Sequence, residues 1–347
     1  MKNLVPPEKR KFARILDLAG FLPERTLTNE ELAGLYPEWP AEKILSKTGI
    51  RARHVAADDQ TATDLAYEAA NRLFAQGEVR REDIDFIILC TQAPDYVLPT
   101  SACLLQDRLG IARSAGALDV NLGCSGFVYG LSLAKGLIET GAANRVLLLT
   151  ADTYSKFIHP LDKSVRTLFG DAAAATVIGA DDIAQEAIGP FVFGTDGSGA
   201  KNLIVEAGAY RRPRDVESSI NKVDTSGNVR NLENLYMNGA EVFAFTLKEV
   251  PLAVDGLLDK AGLRREDIDY FVLHQANQFM LDALRKKLHV PAEKMPICME
   301  NCGNTVSSTI PLALIKMRED GKLRRNTKLM LVGFGVGYSW AGTVVNF

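Results

Sequence analysis

Cys124, His274 and Asn304 are a thiol, an imidazole and a carboxamide, and each lies beside a turn that links an apolar run to a helical pattern. Together such groups supply a nucleophile and two fixed polar partners. Cys124 stands in NLGCSGFVYG, after an apolar strand and at the start of a helical pattern. Unpaired N–H groups and the positive end of a helix dipole there stabilise a thiolate, so a lowered pKa is expected. The plain reading beside this is a buried structural cysteine, which is the one taken for Cys90 and Cys103, each inside an apolar strand or helix. His274 closes an apolar strand and is followed by Gln-Ala-Asn. Sheet enzymes place catalytic groups at that end of a strand, although a lone histidine there can equally be a satisfied core residue. Asn304, in NCGNTVSSTIPLAL, taken alone is a turn or helix-cap asparagine. The glycine-rich LVGFGVGYSWAG fits neither dinucleotide nor P-loop spacing, and reads as a tight loop offering backbone N–H groups to an oxyanion.

The elements that must position these groups are announced by an internal repeat. RREDIDFIILCTQA from Arg80 recurs as RREDIDYFVLHQAN from Arg264, an offset of 184 residues. Each copy is a polar turn followed by a short apolar run of the kind found in strands buried on both faces. Helical patterns precede both: TATDLAYEAANRLFAQG before the first, and GAEVFAFTLKEVPLAVDGLLDKAG, ending at Gly262 with a kink expected at Pro251, before the second. Further strands are read at RILDLAG, AGALDVN, NRVLLLTAD, AAAATVIGA, FVFGTDG, TKLMLVGFG and YSWAGTVVNF. Helices are read at SACLLQDRLG, SGFVYGLSLAKGLIE, NQFMLDALRKKL and SSTIPLALIKMRED, which makes an α/β protein with buried, largely parallel sheets. Residues 210–234, rich in Arg, Asp, Ser and Asn, read as a surface excursion.

Composition bounds the function classes. The chain has 347 residues, 47% apolar and 24% charged, which allows two domains with a large shared interior. A net charge of −3 gives no reason to seek nucleic acid or an anionic membrane. No run of apolar residues is long enough for a membrane span, and MKNLVPPEKRKFARILDLAG is too charged for a signal peptide, so a cytoplasmic protein is expected. Five cysteines without a CxxC pair argue for reduced thiols and against a metal site.

The residues around Cys124, HQAN at His274 to Asn277, GNT at Gly303 to Thr305, FGDAAAA from Phe169 and the GFGVG loop resemble one family over nearly the whole chain. That family is the β-ketoacyl-acyl carrier protein synthase III group of thiolase-like condensing enzymes. The resemblance implies a thiolase-like αβαβα five-layer sandwich, duplicated, with two mixed five-stranded sheets, divided here as residues 1–182 and 183–347. It implies a homodimer, no cofactor, and substrates carried on coenzyme A or on the phosphopantetheine of an acyl carrier protein. Cys124 then carries the acyl group, His274 and Asn304 assist decarboxylation and condensation, and the N–H groups of Cys124 and Val336 form the oxyanion hole. Leu98, Asn277, Gly335 and Phe169 are the expected substrate contacts, Leu98 as a gate on the partner subunit's acyl pocket. Lys43, Lys47, Lys163, Arg285 and Lys286 are the expected contacts for coenzyme A phosphates or the carrier protein. The chain departs from the family where Lys43 and Lys163 replace the aromatic residue and arginine that clamp adenine, and where Phe279 replaces a carrier-docking arginine. Two other readings keep the fold: acyl transfer to an alcohol or amine without condensation, and a non-catalytic subunit of an active synthase.

Overall fold

A computed structural model describes residues 11–181 and 185–347. The first ten residues, and the expected boundary between residues 182 and 183, lie outside the described residues. Sheet one contains β1 (Phe12–Phe21), β2 (Phe86–Cys90), β3 (Gly116–Val120), β4 (Arg145–Asp152) and β5 (Ala172–Asp181) in the order β1-β5-β4-β2-β3. Sheet two contains β6 (Ile188–Thr195), β7 (Tyr270–Leu273), β8 (Lys328–Gly335) and β9 (Ser339–Asn346) in the order β7-β8-β9-β6. Read from the opposite edge, β6-β9-β8-β7 repeats β1-β5-β4-β2, with two antiparallel pairs and then a parallel one in each.

The strands form where the sequence is apolar without alternation, because both faces are covered. Helices α1 (Ala62–Ala75) and α2 (Ser101–Arg108) pack on the outside of sheet one, and α4 (Gly239–Ala261) on the outside of sheet two, with α5 (Gln278–Lys287) against it. Between the sheets lie α3 (Gly126–Glu139) and α6 (Thr309–Glu319). Phe127 and Leu131 of α3 and Ile310 and Leu314 of α6 join Ile88 and Leu148 of sheet one to Val272 and Leu331 of sheet two in one core. The fold is the thiolase-like α/β sandwich that the resemblance implied.

Three expectations are refined. Sheet two has four ladder strands among the described residues, not five. Beside β7, where β3 lies in sheet one, Pro296 has no N–H to donate, and the Gln275 carboxamide bridges the gap instead. Its Oε1 accepts from the Cys298 N–H at 2.8 Å and its Nε2 donates to the Pro296 carbonyl at 3.4 Å. The α4 helix runs through Pro251 as one element and stops at Gly262, whose φ of 63° is the left-handed end that glycine permits. Cys103 is exposed on α2 rather than buried, while Cys90 is buried as expected. No helix of the described residues is long and apolar enough to cross a membrane.

Candidate active site

Cys124 follows β3 and precedes α3 by two residues. It is only 5% exposed, because β8 lies directly against it. A Cβ on Gly335 would stand 3.0 Å from the Cys124 Sγ, so this close approach needs a glycine. The expected lowering of the thiol pKa does not occur. Burial pushes it up to about 12 and the nearby Asp152 carboxylate adds to the rise. Only the backbone N–H groups of Cys124 and Val336 act in the opposite direction. The same two donors are those expected to receive an oxyanion.

His274 directly follows β7, and its N–H continues the ladder to the Val332 carbonyl at 2.9 Å. Its ring meets Phe334 edge-on at 5.4 Å. Burial lowers its pKa to about 3, so the imidazole is neutral at pH 7. Nδ1 lies 2.7 Å from the Thr309 hydroxyl, which also reaches the Val306 carbonyl at 3.1 Å.

Asn304 is fixed on both sides by backbone. Its N–H donates to Leu168 O at 2.9 Å, and its carbonyl accepts from Gly170 N at 3.0 Å, forming a parallel bridge with Phe169. Its Oδ1 accepts the Val306 N–H at 3.0 Å, which leaves the Nδ2 hydrogens to face a ligand. Val306 holds φ at 54°, a left-handed conformation rare for a β-branched residue and costing about 1–3 kcal/mol. Such strain is kept where the surroundings over-determine it, and here it places the Val306 N–H on the Asn304 carboxamide.

The three side chains meet at one cavity of about 70 Å³. Phe169, Asn277 and Gly335 also line it, and Asn277 caps α5 by accepting from Met280 N at 2.8 Å. Leu203, Met237, Val242 and Met280 complete an apolar wall that the sequence did not single out. Val336 lies just outside the lining. Leu98 does not reach the cavity; it is 77% exposed in the loop before α2. The expected phosphate contacts are also outside it. Lys43 sits 5.1 Å from the centroid of the Trp39 ring, an aromatic residue that sequence reading passed over, and Lys163 pairs with Glu38 at 3.0 Å. Lys47 and Lys286 are exposed, and Arg285 lies 3.6 Å from Asp282. Among the described residues no group of three or more His, Cys, Asp or Glu side chains could hold a metal ion.

Comparison with known proteins places these observations in a family. Residues 118–197 match the 3-oxoacyl-(acyl-carrier-protein) synthase III model, and residues 258–347 match the model of its C-terminal part. The β-ketoacyl-(acyl-carrier-protein) synthase III of Caldanaerobacter subterraneus subsp. tengcongensis is 36% identical over 96% of this chain and 98% of its own length. That of Xylella fastidiosa is 37% identical over 98% of this chain and 99% of its own. A crystal structure of a 3-oxoacyl-(acyl-carrier-protein) synthase III shares 69% identity, covers 97% of this chain and 100% of that one, and superposes with a TM-score of 0.96. The Burkholderia xenovorans synthase gives 38% identity over 96% and 93%, with a TM-score of 0.88. Likeness of this extent, in sequence and in backbone alike, makes the chain a member of the 3-oxoacyl-(acyl-carrier-protein) synthase III family of thiolase-like condensing enzymes.

Proposed function

We propose that the protein takes an acyl group from a thioester onto Cys124 and condenses it, with loss of carbon dioxide, with a malonyl thioester. The observation that carries this is the single cavity shared by Cys124, His274 and Asn304. In the first half-reaction the Sγ–carbonyl bond forms and the donor thiol leaves, taking up the cysteine proton. Neutral His274 is the relay for that proton. The N–H groups of Cys124 and Val336 hold the oxyanion, each such donor being worth about 3 kcal/mol in comparable sites.

In the second half-reaction the malonyl thioester carbonyl accepts hydrogen bonds from Asn304 Nδ2 and His274 Nε2. Carbon dioxide departs from the malonyl carboxylate and the electron pair of the broken C–C bond becomes an enolate; its carbon attacks the Cys124 thioester, the Sγ–acyl bond breaks, the β-ketoacyl thioester is released, and the Cys124 thiolate takes up a proton from water. Thr309 serves both halves. With its hydrogen on the Val306 carbonyl it accepts from Nδ1–H and leaves Nε2 free to take a proton; turned to Nδ1, it makes Nε2 a donor.

Phe169, Asn277 and Gly335 shape the substrate's path in this reading, and Leu98 closes the pocket of a second copy. The homodimer is supported by β3, a sheet edge whose residues are only half-buried. Lys43, Lys47, Lys163, Arg285 and Lys286 are proposed contacts for phosphates of acyl-CoA or for an acyl carrier protein. No cofactor takes part, the chain divides at residues 182/183, and the site of action is the cytoplasm. Transfer to an alcohol or amine is not favoured, since the relatives are named as synthases and Asn304 would be superfluous.

Intact-mass measurement after incubation with acetyl- and longer acyl-CoA tests the first step: an adduct is expected on the wild type and not on Cys124→Ala. Adding malonyl-carrier protein is then expected to release carbon dioxide. An adduct without that release would retract condensation.

A further inference from the structure

The turn carrying Asn304 is tied to both sheets by three consecutive buried hydroxyls. Ser307 Oγ donates to Asp152 Oδ2 at 2.5 Å, and the Ser307 N–H reaches the same oxygen at 3.3 Å. Ser308 Oγ lies 3.0 Å from the Thr150 hydroxyl, and Thr309 meets the His274 ring as described. Asp152 ends β4 and is 0% exposed. Its second oxygen accepts the Gln92 N–H at 2.9 Å. No cation pairs with it among the described residues, so hydrogen bonds alone hold a carboxyl group that burial disfavours as an anion. Burial accordingly raises its pKa to about 7, against the pull of those bonds.

We propose that Asp152 is a positioning residue: through Ser307 it fixes the 304–309 turn, and with it the Asn304 amide, against Cys124 without touching substrate, while His274 keeps its own ladder bond to Val332. The inference rests on the condensation reading for what that amide does. The groups facing Asp152 are Cys124 at the start of α3, Cys90 at the end of β2, Tyr154 after β4, and Asp171 before β5. All are neutral or acidic, and its negative charge opposes the Cys124 thiolate. Two consequences of opposite sign follow from replacing it by asparagine. The thiol becomes more acidic, while the turn loosens, because an asparagine has one acceptor oxygen where the two oxygens of Asp152 now accept separately from Ser307 and from the Gln92 N–H.

The test uses full-length Asp152→Asn, Ser307→Ala and Ser307→Thr. The pH profile of Cys124 alkylation by iodoacetamide is expected to move down by about one unit in Asp152→Asn. Carbon dioxide release is expected to fall about 10²-fold in both Asp152→Asn and Ser307→Ala, with Cys124 acylation kept within about threefold. Ser307→Thr, which retains the hydroxyl, is expected to recover most of the release. Equal slowing of acylation and release by Ser307→Ala would mark general destabilisation and overturn the proposal. Unchanged carbon dioxide release in both Asp152→Asn and Ser307→Ala would overturn it as well. A wild type that acylates but releases no carbon dioxide would instead retract the condensation reading.

Discussion

The two RREDID copies fold alike and end in different chemistry. Arg80 pairs with Asp83 at 2.7 Å and Arg264 with Asp267 at 3.0 Å, each closing a short helical turn before its strand. The offset of the repeat sets Cys90, a buried thiol, on the position of His274. Sheet register extends the correspondence one strand further. Leu89 lies beside Leu149 and Leu273 beside Val332, which puts Asp152 of β4 on the place of Gly335 in β8. One half therefore offers a thiol and a carboxylate where the other offers an imidazole and a glycine. The scaffold is shared, and the cavity lined by Cys124, His274 and Asn304 lies where the second copy of the pattern has cleared a space for Cys124.

The sharpest way to break this comparison is to exchange weight between paired positions. His274→Ala is expected to lower carbon dioxide release about 10³-fold, and Cys90→Ala less than threefold, with about 1–2 kcal/mol lost in denaturant melts. Comparable losses at both would mean that the first half also takes part in the chemistry. Next in size, Gly335→Ala presses a methyl group onto Cys124 and is expected to reduce acylation about 10²-fold, read as the rate of mass-adduct formation. A smaller effect arises from pH. The folded pKa of His274, about 3, lies below the 6.5 of a free imidazole. Between those values the unfolded chain binds a proton that the folded one refuses, so stability falls as the pH drops through this window and is indifferent above it. His274→Asn is expected to show a shallower fall than wild type in melts between pH 7 and 4. The smallest effects belong to Arg80→Ala and Arg264→Ala, whose ion pairs are open to solvent; small and equal drops in melting temperature are expected, and unequal ones would show that the two turns carry different loads.

What the sequence disclosed divides along physical lines. Buried strands and the helices between them write themselves as apolar runs, and Cys124, His274 and Asn304 stood out because each lies where such a run turns. The missing ladder in sheet two turned on Pro296, a residue not weighed in sequence, and on a glutamine side chain acting as backbone, which no periodicity reveals. Asp152, Ser307 and Thr309 were invisible for another reason. A serine or threonine before a helix reads as a cap, and only the third dimension shows that these hydroxyls point away from their own helix. The acidity of Cys124 was misjudged because a helix end promises stabilisation, whereas desolvation and a carboxylate were hidden in other parts of the chain.

The glycine pressed against Cys124 also has a meaning for the order of synthesis. Cys124 leaves the ribosome well over half a chain before Gly335 and Val336, and β9, which joins β8 to β6, follows both. A nascent chain thus holds its thiol before the glycine that will press against it and the Val336 N–H exist, and the complete surroundings of Cys124 arise only with the last strands.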